Sequence, residues 1–140
     1  MTRVDKLICA FLVALFAFSA ADKLLHVGGF INAIDDYKIL PIPLGALLAP
    51  LLIAAEFAVA VGLALRRWRR VAALQAAGLM ALFTIAILSQ RLLGRRGICG
   101  CWFSITALPD NAHLVFNVLV LGLSLAVWHA AQAGVQHGRP

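Results

Sequence analysis

Four long apolar blocks, separated by short polar segments, dominate this sequence. They are predicted to run over residues 7–25, 44–65, 71–93 and 112–133. A bilayer hydrocarbon core is about 30 Å thick and is crossed by roughly 20 helical residues, so each block is long enough to span it. Because lipid cannot satisfy free backbone groups, each block is expected to be a helix. The sequence therefore predicts an all-α integral membrane protein, a four-transmembrane-helix bundle that forms a single domain over residues 1–140.

The composition supports the lipid bilayer as the main partner of the chain. Hydrophobic residues make up 63% of the chain and charged residues 13%, with a mean hydropathy of +0.95. A soluble domain is nearer to about half apolar and about a quarter charged. The net charge is +6, but the basic residues lie between the apolar blocks and form no single stripe. That placement is typical of membrane topology and argues against a nucleic-acid partner.

The distribution of Lys and Arg predicts that both termini lie in the cytoplasm, in a multi-pass protein of the inner membrane. One side of the bundle would carry seven basic residues, which are Arg3, Lys6, Arg66, Arg67, Arg69, Arg70 and Arg139. The other side would carry five, which are Lys23, Lys38, Arg91, Arg95 and Arg96. The first block is too long for a signal peptide and ends without a convincing cleavage site, so we expect it to remain as a span.

Cys99 and Cys101 are the residues that point most directly to chemistry. They flank Gly100 in the polar segment between the third and fourth blocks, close to Arg95 and Arg96. Nearby positive charge favours the thiolate, which is the form that attacks disulfides. A bridge between positions i and i+2 closes a small ring that glycine accommodates, and strained disulfides are the labile ones. The pattern predicts a catalytic thiol–disulfide pair in an extracytoplasmic, oxidising compartment.

Two other interpretations of the cysteine pair remain open. The thiols could bind a soft metal such as Cu(I), although no second cysteine pair or methionine cluster continues a metal path, and no metal site is assigned. The pair could also be incidental or an inert structural bridge. The third cysteine, Cys9, falls in the first block near the opposite membrane face and is expected to be a small packing residue.

Glu56 lies about twelve residues into the second block, which places it near the bilayer midplane. A carboxyl at that depth is costly, so it should face the bundle interior in its neutral form. It is a candidate proton relay or quinone-contacting group; the alternative is an acid that only forms hydrogen bonds between helices. The segment before this block, His26–Pro43, is expected to be a loop, with a turn at Gly28 and Gly29. Lys23 is expected to extend to the membrane interface.

His113 and Asn117 lie one helical turn apart at the start of the fourth block, and therefore on one face. They follow Cys101 by about a dozen residues or more and could approach the thiols. His113 is a candidate catalytic residue that would accept a proton during thiol exchange. Hydrogen bonding between helices is the alternative role for both side chains.

Several short motifs occur in an order that resembles the MauE branch of the DoxX-like membrane protein family. The first block ends in Ala21-Asp22-Lys23-Leu24, and the second block carries Glu56 after a Tyr37-Lys38-Ile39-Leu40-Pro41 segment. A Cys-x-Cys-aromatic element, Cys99-Gly100-Cys101-Trp102-Phe103, precedes the last block. The resemblance covers most of the chain.

The resemblance implies a four-helix membrane bundle like that of the vitamin K epoxide reductase group. It implies a role in methylamine utilisation, where the family is thought to assist maturation of the disulfide-rich small subunit of methylamine dehydrogenase. It also implies a thioredoxin-like or disulfide-rich extracytoplasmic partner, and a quinone cofactor near Glu56. The resulting hypothesis is a membrane thiol–disulfide oxidoreductase; the alternatives are a soft-metal-binding membrane protein and a non-catalytic membrane anchor subunit.

Overall fold

Five helices make up the regular structure of the part of the chain that is described. The computed structural model describes residues 2–38, 44–94 and 110–136. The helices are α1 (Arg3–Leu25), α2 (Val27–Asp36), α3 (Gly45–Ala64), α4 (Arg69–Leu92) and α5 (Asp110–Gln136). Four of them, α1, α3, α4 and α5, are long and apolar enough to cross a membrane. The prediction of an all-α, four-span membrane protein is confirmed.

The four spans pack in a ring. Helix α1 lies against α3, α3 against α4, α4 against α5, and α5 against α1, while α2 packs on α3. Two contacts fix the direction of neighbouring helices. The Cys9 thiol near the start of α1 donates to the Leu63 carbonyl near the end of α3, and Arg91 near the end of α4 donates to Asn111 at the start of α5. The pairs α1–α3 and α4–α5 are therefore antiparallel.

The core of the ring is apolar and closely packed where small residues meet. Buried side chains come from all four spans and include Leu12, Phe16, Val59, Leu63, Ala73, Ala76, Met80, Val120 and Val127. At Gly62 of α3, an added Cβ would lie 2.7 Å from the Cβ of Ala72 in α4. Small residues let helix backbones approach closely, which is how spans associate in lipid. Large apolar side chains on the outer faces, such as Leu7 and Leu92, are exposed from the bundle and suit a lipid environment.

The first span begins earlier than its apolar block. Thr2 and Asp5 form a capping box, in which the Thr2 hydroxyl accepts from the Asp5 backbone N–H and the Asp5 carboxylate accepts from the Thr2 backbone N–H. This pair satisfies backbone donors at the helix start. Helix α1 therefore starts at Arg3 instead of the predicted residue 7.

The prediction of a loop over His26–Pro43 is wrong for most of that segment. Residues Val27–Asp36 form helix α2, and Gly28 and Gly29 lie within it instead of forming a turn. Helix α1 ends and α2 begins at a bend at His26, whose backbone lies outside the helical region at φ −118° and ψ 39°. Residues 39–43 lie outside the described residues.

Packing against α3 explains why this segment is helical despite its glycines. Three apolar side chains recur on one face of α2 and meet the first half of α3; the residues in contact are Phe30, Ile31, Ile34, Ala49 and Ile53. The Asp35 carboxylate then accepts a hydrogen bond of 2.7 Å from the Gly45 backbone N–H. That bond caps the start of α3, because the first N–H groups of a helix have no partner within it. Tertiary burial thus outweighs the low helix propensity of glycine.

Candidate functional site

The buried stripe of α1 ends in a charged residue. Side chains at helical spacing face the bundle along this helix, and they are Cys9, Leu12, Phe16, Ser19, Ala20 and Lys23. Lys23 is only 3% exposed, so the prediction that it extends to the membrane interface is wrong. The signal that would have found this is helical phase, because Lys23 lies three to four residues beyond Ser19 and Ala20 on the same stripe.

Lys23 forms an ion pair with Glu56 inside the bundle. Its Nζ atom lies 2.8 Å from Oε1 and 3.0 Å from Oε2 of Glu56. It also donates to the Ser19 hydroxyl at 2.6 Å, and that hydroxyl lies 3.1 Å from Glu56 Oε2. Side chains on a helix lean towards its N-terminus, which is why Lys23 reaches back one turn to Ser19. Helices α1 and α3 are thus joined by one compact polar cluster.

Two aromatic rings complete the surroundings of the ammonium group. The Lys23 Nζ atom lies 5.5 Å from the ring centroid of Phe30 in α2 and 5.9 Å from that of Phe83 in α4. Both distances are within the range in which an aromatic ring attracts a cation. A single side chain therefore connects four helices, α1 to α4. We refer to Ser19, Lys23, Phe30, Glu56 and Phe83 as the Lys23 cluster.

The expectation that Glu56 faces the interior is confirmed, since it is 1% exposed. The expectation of a neutral, protonated acid was based on a carboxyl without a cation at that depth. The structure places the Lys23 ammonium against it, so the two charges neutralise each other as a pair. Removing one member of a buried pair leaves an uncompensated charge, whereas the intact pair is tolerated in a low-dielectric interior.

The surface side of the cluster is formed by Asp22 and His26 at the bend between α1 and α2. The Nδ1 atom of His26 lies 3.3 Å from Asp22 Oδ1 and 3.0 Å from the Asp22 backbone oxygen. Exposure falls from 53% at His26 to 9% at Asp22 and 3% at Lys23. The side chains of His26, Asp22 and Lys23 are thus progressively more buried, from the surface to the bundle interior.

The candidates on α5 face the same interior. His113 is 3% exposed and Asn117 is fully buried, which confirms that they share the inward face of the helix. A buried amide on α4 lies near the same end of the bundle, where Gln90 Nε2 donates to the Tyr37 carbonyl at 2.7 Å. The interior therefore holds polar groups from α1, α3, α4 and α5.

The predicted redox pair, Cys99 and Cys101, lies outside the described residues, and its proximity to His113 stays a prediction. In the sequence the pair belongs to the segment that joins α4 to α5, and the Arg91–Asn111 hydrogen bond holds these two helix ends together. His113 lies in the first turn of α5. Within the described ranges, no group of three or more His, Cys, Asp or Glu side chains could hold a metal ion.

Cys9 lies near the start of α1, beside the end of α3. Its side chain is 4% exposed, and its thiol donates to the Leu63 carbonyl at 3.4 Å. The same carbonyl accepts a 2.9 Å hydrogen bond from Arg69 Nε. These contacts agree with the packing role that was expected for Cys9.

The chain is similar to proteins of methylamine utilisation. The family model described as methylamine utilisation protein MauE matches residues 1–131. The chain is 36% identical over 127 residues to methylamine utilization protein MauE of Paracoccus denitrificans, an alignment that covers 89% of this chain and 68% of that protein. No solved structure matches this chain.

Proposed function

Since this chain belongs to the methylamine utilisation protein MauE family, we propose that it serves methylamine utilisation as a membrane thiol–disulfide redox protein. Its Cys99–Cys101 pair would assist disulfide formation, or the maturation of a disulfide-rich partner such as methylamine dehydrogenase. A thioredoxin-like extracytoplasmic protein is the proposed exchange partner. The observation that supports this proposal most directly is the Cys-Gly-Cys element itself, in the segment between two membrane spans.

The chemistry of the pair is a two-electron exchange. In disulfide formation, two client thiols reduce the Cys99–Cys101 disulfide and become a disulfide themselves. Reoxidation of the pair then forms one S–S bond and passes two electrons and two protons to an acceptor. The attacking species is a thiolate, and we propose that His113 accepts the proton that the thiol loses. Its place in the first turn of α5, after the cysteine segment, supports that role. The basic residues Arg95 and Arg96 beside the pair in the sequence favour the thiolate further.

We propose a quinone near Glu56 as the electron acceptor of the pair. When bound, it would take up the two electrons that the thiols release. The proposal is supported by the two aromatic rings, Phe30 and Phe83, that lie beside the Lys23 ammonium, a hydrogen-bond donor. Two of the three contacts of Lys23 Nζ go to the oxygens of one carboxylate. One N–H could therefore turn to a carbonyl oxygen without separating Lys23 from Glu56.

A redox titration tests the proposal directly. The purified protein is equilibrated in glutathione or dithiothreitol buffers, alkylated, and analysed by mass. The Cys99–Cys101 pair should interconvert between dithiol and disulfide at a potential above the roughly −300 mV limit of structural bridges. Cys99→Ser and Cys101→Ser should each abolish cycling and leave one thiol that traps a partner as a mixed disulfide. Cys9→Ser is the matched control and should cycle like the parent protein.

The alternatives give different results in the same experiment. A pair that stays reduced in every buffer and binds one equivalent of Cu(I) tightly would indicate a soft-metal-binding protein. A pair that neither cycles nor binds metal, with serine variants that support growth on methylamine, would indicate an anchor subunit. Either result would contradict the redox proposal.

The proposed orientation, with both termini in the cytoplasm of an inner-membrane protein, has its own test. After mild reduction of intact cells, a membrane-impermeant thiol reagent should label Cys99 or Cys101 and leave Cys9 unlabelled. Labelling of the pair only after permeabilisation would reverse the orientation and would place the thiols in a reducing compartment.

A further inference from the structure

One end of the bundle concentrates positive charge at a membrane boundary. The Cys9–Leu63 contact places the start of α1 beside the end of α3, and the α3–α4 turn follows directly. This basic end carries six basic side chains, which are Arg3, Lys6, Arg66, Arg67, Arg69 and Arg70. The nearby acidic side chain, Asp5, is engaged by Thr2 in the capping box.

The position of the arginines along the membrane normal follows from the shortness of the turn. Helix α3 ends at Ala64 and α4 begins at Arg69, so four residues join two membrane spans. A turn this short cannot carry its side chains far from the ends of the spans. The guanidinium groups therefore lie at the depth of the lipid headgroups, where anionic phosphates attract basic residues.

The four arginines at the turn, Arg66, Arg67, Arg69 and Arg70, divide into two groups. Arg69 turns inward, and its Nε and Nη2 atoms donate to the Leu63 and Ala64 carbonyls at 2.9 Å and 3.5 Å. These bonds satisfy carbonyls at the end of α3 that have no partner within the helix. Arg66, Arg67 and Arg70 are exposed and form no salt bridge within the described parts of the chain. Arg70 and Arg69 also lie in the first turn of α4, where the helix dipole favours anions.

Apolar side chains lie next to the three exposed arginines. Leu65, Trp68 and Val71 are 50%, 54% and 59% exposed, and the Arg67 guanidinium lies 5.9 Å from the Trp68 ring centroid. The surface thus combines forked phosphate-binding groups with apolar groups at the boundary of the hydrocarbon core. Arginine matches phosphate oxygens with two parallel hydrogen bonds. A phospholipid with a net negative headgroup complements this surface, because it carries a phosphate for the guanidinium groups and acyl chains for the apolar side chains.

We propose that Arg66, Arg67, Arg70 and Trp68 form a binding site for an anionic phospholipid, which we call the lipid site. The phosphate would be held by the guanidinium groups, with the upper acyl chain against Trp68 and Val71. Asymmetric charge alone would orient the protein in the membrane, whereas a lipid site also predicts selective retention of one headgroup class. The proposal is independent of the redox proposal, because the site lies at the end of the bundle where α1 starts, whereas the cysteine segment joins α4 to α5 at the opposite end.

The test compares phosphatidylglycerol, phosphatidylcholine and inorganic phosphate added to the delipidated protein in detergent. Native mass spectrometry measures the bound lipid, and thermal unfolding measures protection. The parent protein should retain phosphatidylglycerol in preference to phosphatidylcholine. Each arginine replaced by glutamine should weaken that preference about fivefold, as expected for a basic residue near an anionic lipid. The triple variant Arg66→Gln/Arg67→Gln/Arg70→Gln should lose the preference entirely.

Controls separate the lipid site from general charge effects. Lys38→Gln removes one charge from another part of the chain and should leave the preference unchanged. Replacing the same three arginines by lysine keeps the charge but loses the forked geometry, and should reduce the preference less than glutamine does. If the triple glutamine variant fails to fold, the single Arg67→Gln variant should still show the fivefold loss, because this side chain is exposed.

Three results would overturn the proposal. The triple glutamine variant could retain phosphatidylglycerol as the parent protein does. The parent protein could retain both lipids equally. Inorganic phosphate could protect the protein as well as phosphatidylglycerol does, which would indicate an adventitious ion only.

Discussion

The Lys23 cluster and the turn at Arg66–Arg70 are both charged, but they differ in what balances the charge. In the cluster, an ammonium that is 3% exposed lies 2.8 Å from a carboxylate that is 1% exposed. In the turn, three exposed guanidinium groups form no salt bridge within the described residues. The difference follows from the local solvent: inside the bundle only protein can neutralise a charge, whereas at the boundary water and lipid phosphates can do so.

Charge reversal in the cluster should have the largest effect of any single change. Glu56→Lys would place two ammonium groups together inside the bundle, at a cost of about 3 kcal/mol or more. We expect little folded protein, measured as monomer yield by size-exclusion chromatography in mild detergent. Glu56→Gln keeps the shape of the side chain but leaves the Lys23 ammonium without its carboxylate, so it should lose about 3 kcal/mol and still be more abundant than Glu56→Lys. Equal yields for the two variants would show that position 56 is reached by water.

Removing the ammonium alone should have the next largest effect. Lys23→Met leaves the Glu56 carboxylate without its cation, with an expected destabilisation of about 3 kcal/mol. The double variant Lys23→Met/Glu56→Met should recover most of that loss, because apolar side chains of similar volume replace a buried pair well. Thermal unfolding of Lys23→Met, Glu56→Met and the double variant, beside the parent protein in one detergent, gives the coupling energy. Additive effects would mean that the two side chains act independently.

The aromatic contacts should contribute less. Phe83→Leu removes a ring 5.9 Å from the Lys23 ammonium, and we expect a loss of about 1 kcal/mol beyond that of a comparable apolar change. Phe16→Leu is the matched control, since Phe16 is buried in the same core as Phe83. If the two variants unfold at the same temperature, the ring contributes only packing.

Substitutions in the turn should have the smallest effects on stability, and the loss should be larger at Arg69 than at Arg67. Arg69→Gln removes hydrogen bonds to the Leu63 and Ala64 carbonyls and should cost about 1 kcal/mol. Arg67→Gln, at an exposed position, should change stability by less than about 0.5 kcal/mol when anionic lipid is absent. Thermal unfolding in lipid-free detergent makes the comparison. A larger loss for Arg67→Gln than for Arg69→Gln would contradict the division of the turn into inward and outward arginines.

The sequence alone allowed the membrane spans to be predicted. An apolar block long enough to cross a bilayer is expected to be a helix, because lipid cannot satisfy free backbone groups. The same reasoning placed Glu56 in the interior and put His113 and Asn117 on one face of their helix. It failed at α2, where Gly28 and Gly29 indicate a turn when taken alone. That helix is stabilised by burial of Phe30 against α3, and burial against a distant segment has no local signal.

Only the tertiary structure decided which charges meet. Lys23 and Glu56 are 33 residues apart, and hydropathy places one at a helix end and the other at the midplane. Their contact depends on the alignment of antiparallel α1 and α3, and on the backward lean of the lysine side chain towards Ser19. Sequence determines that a charge inside a membrane needs a partner, because lipid offers none. Packing determines which side chain that partner is.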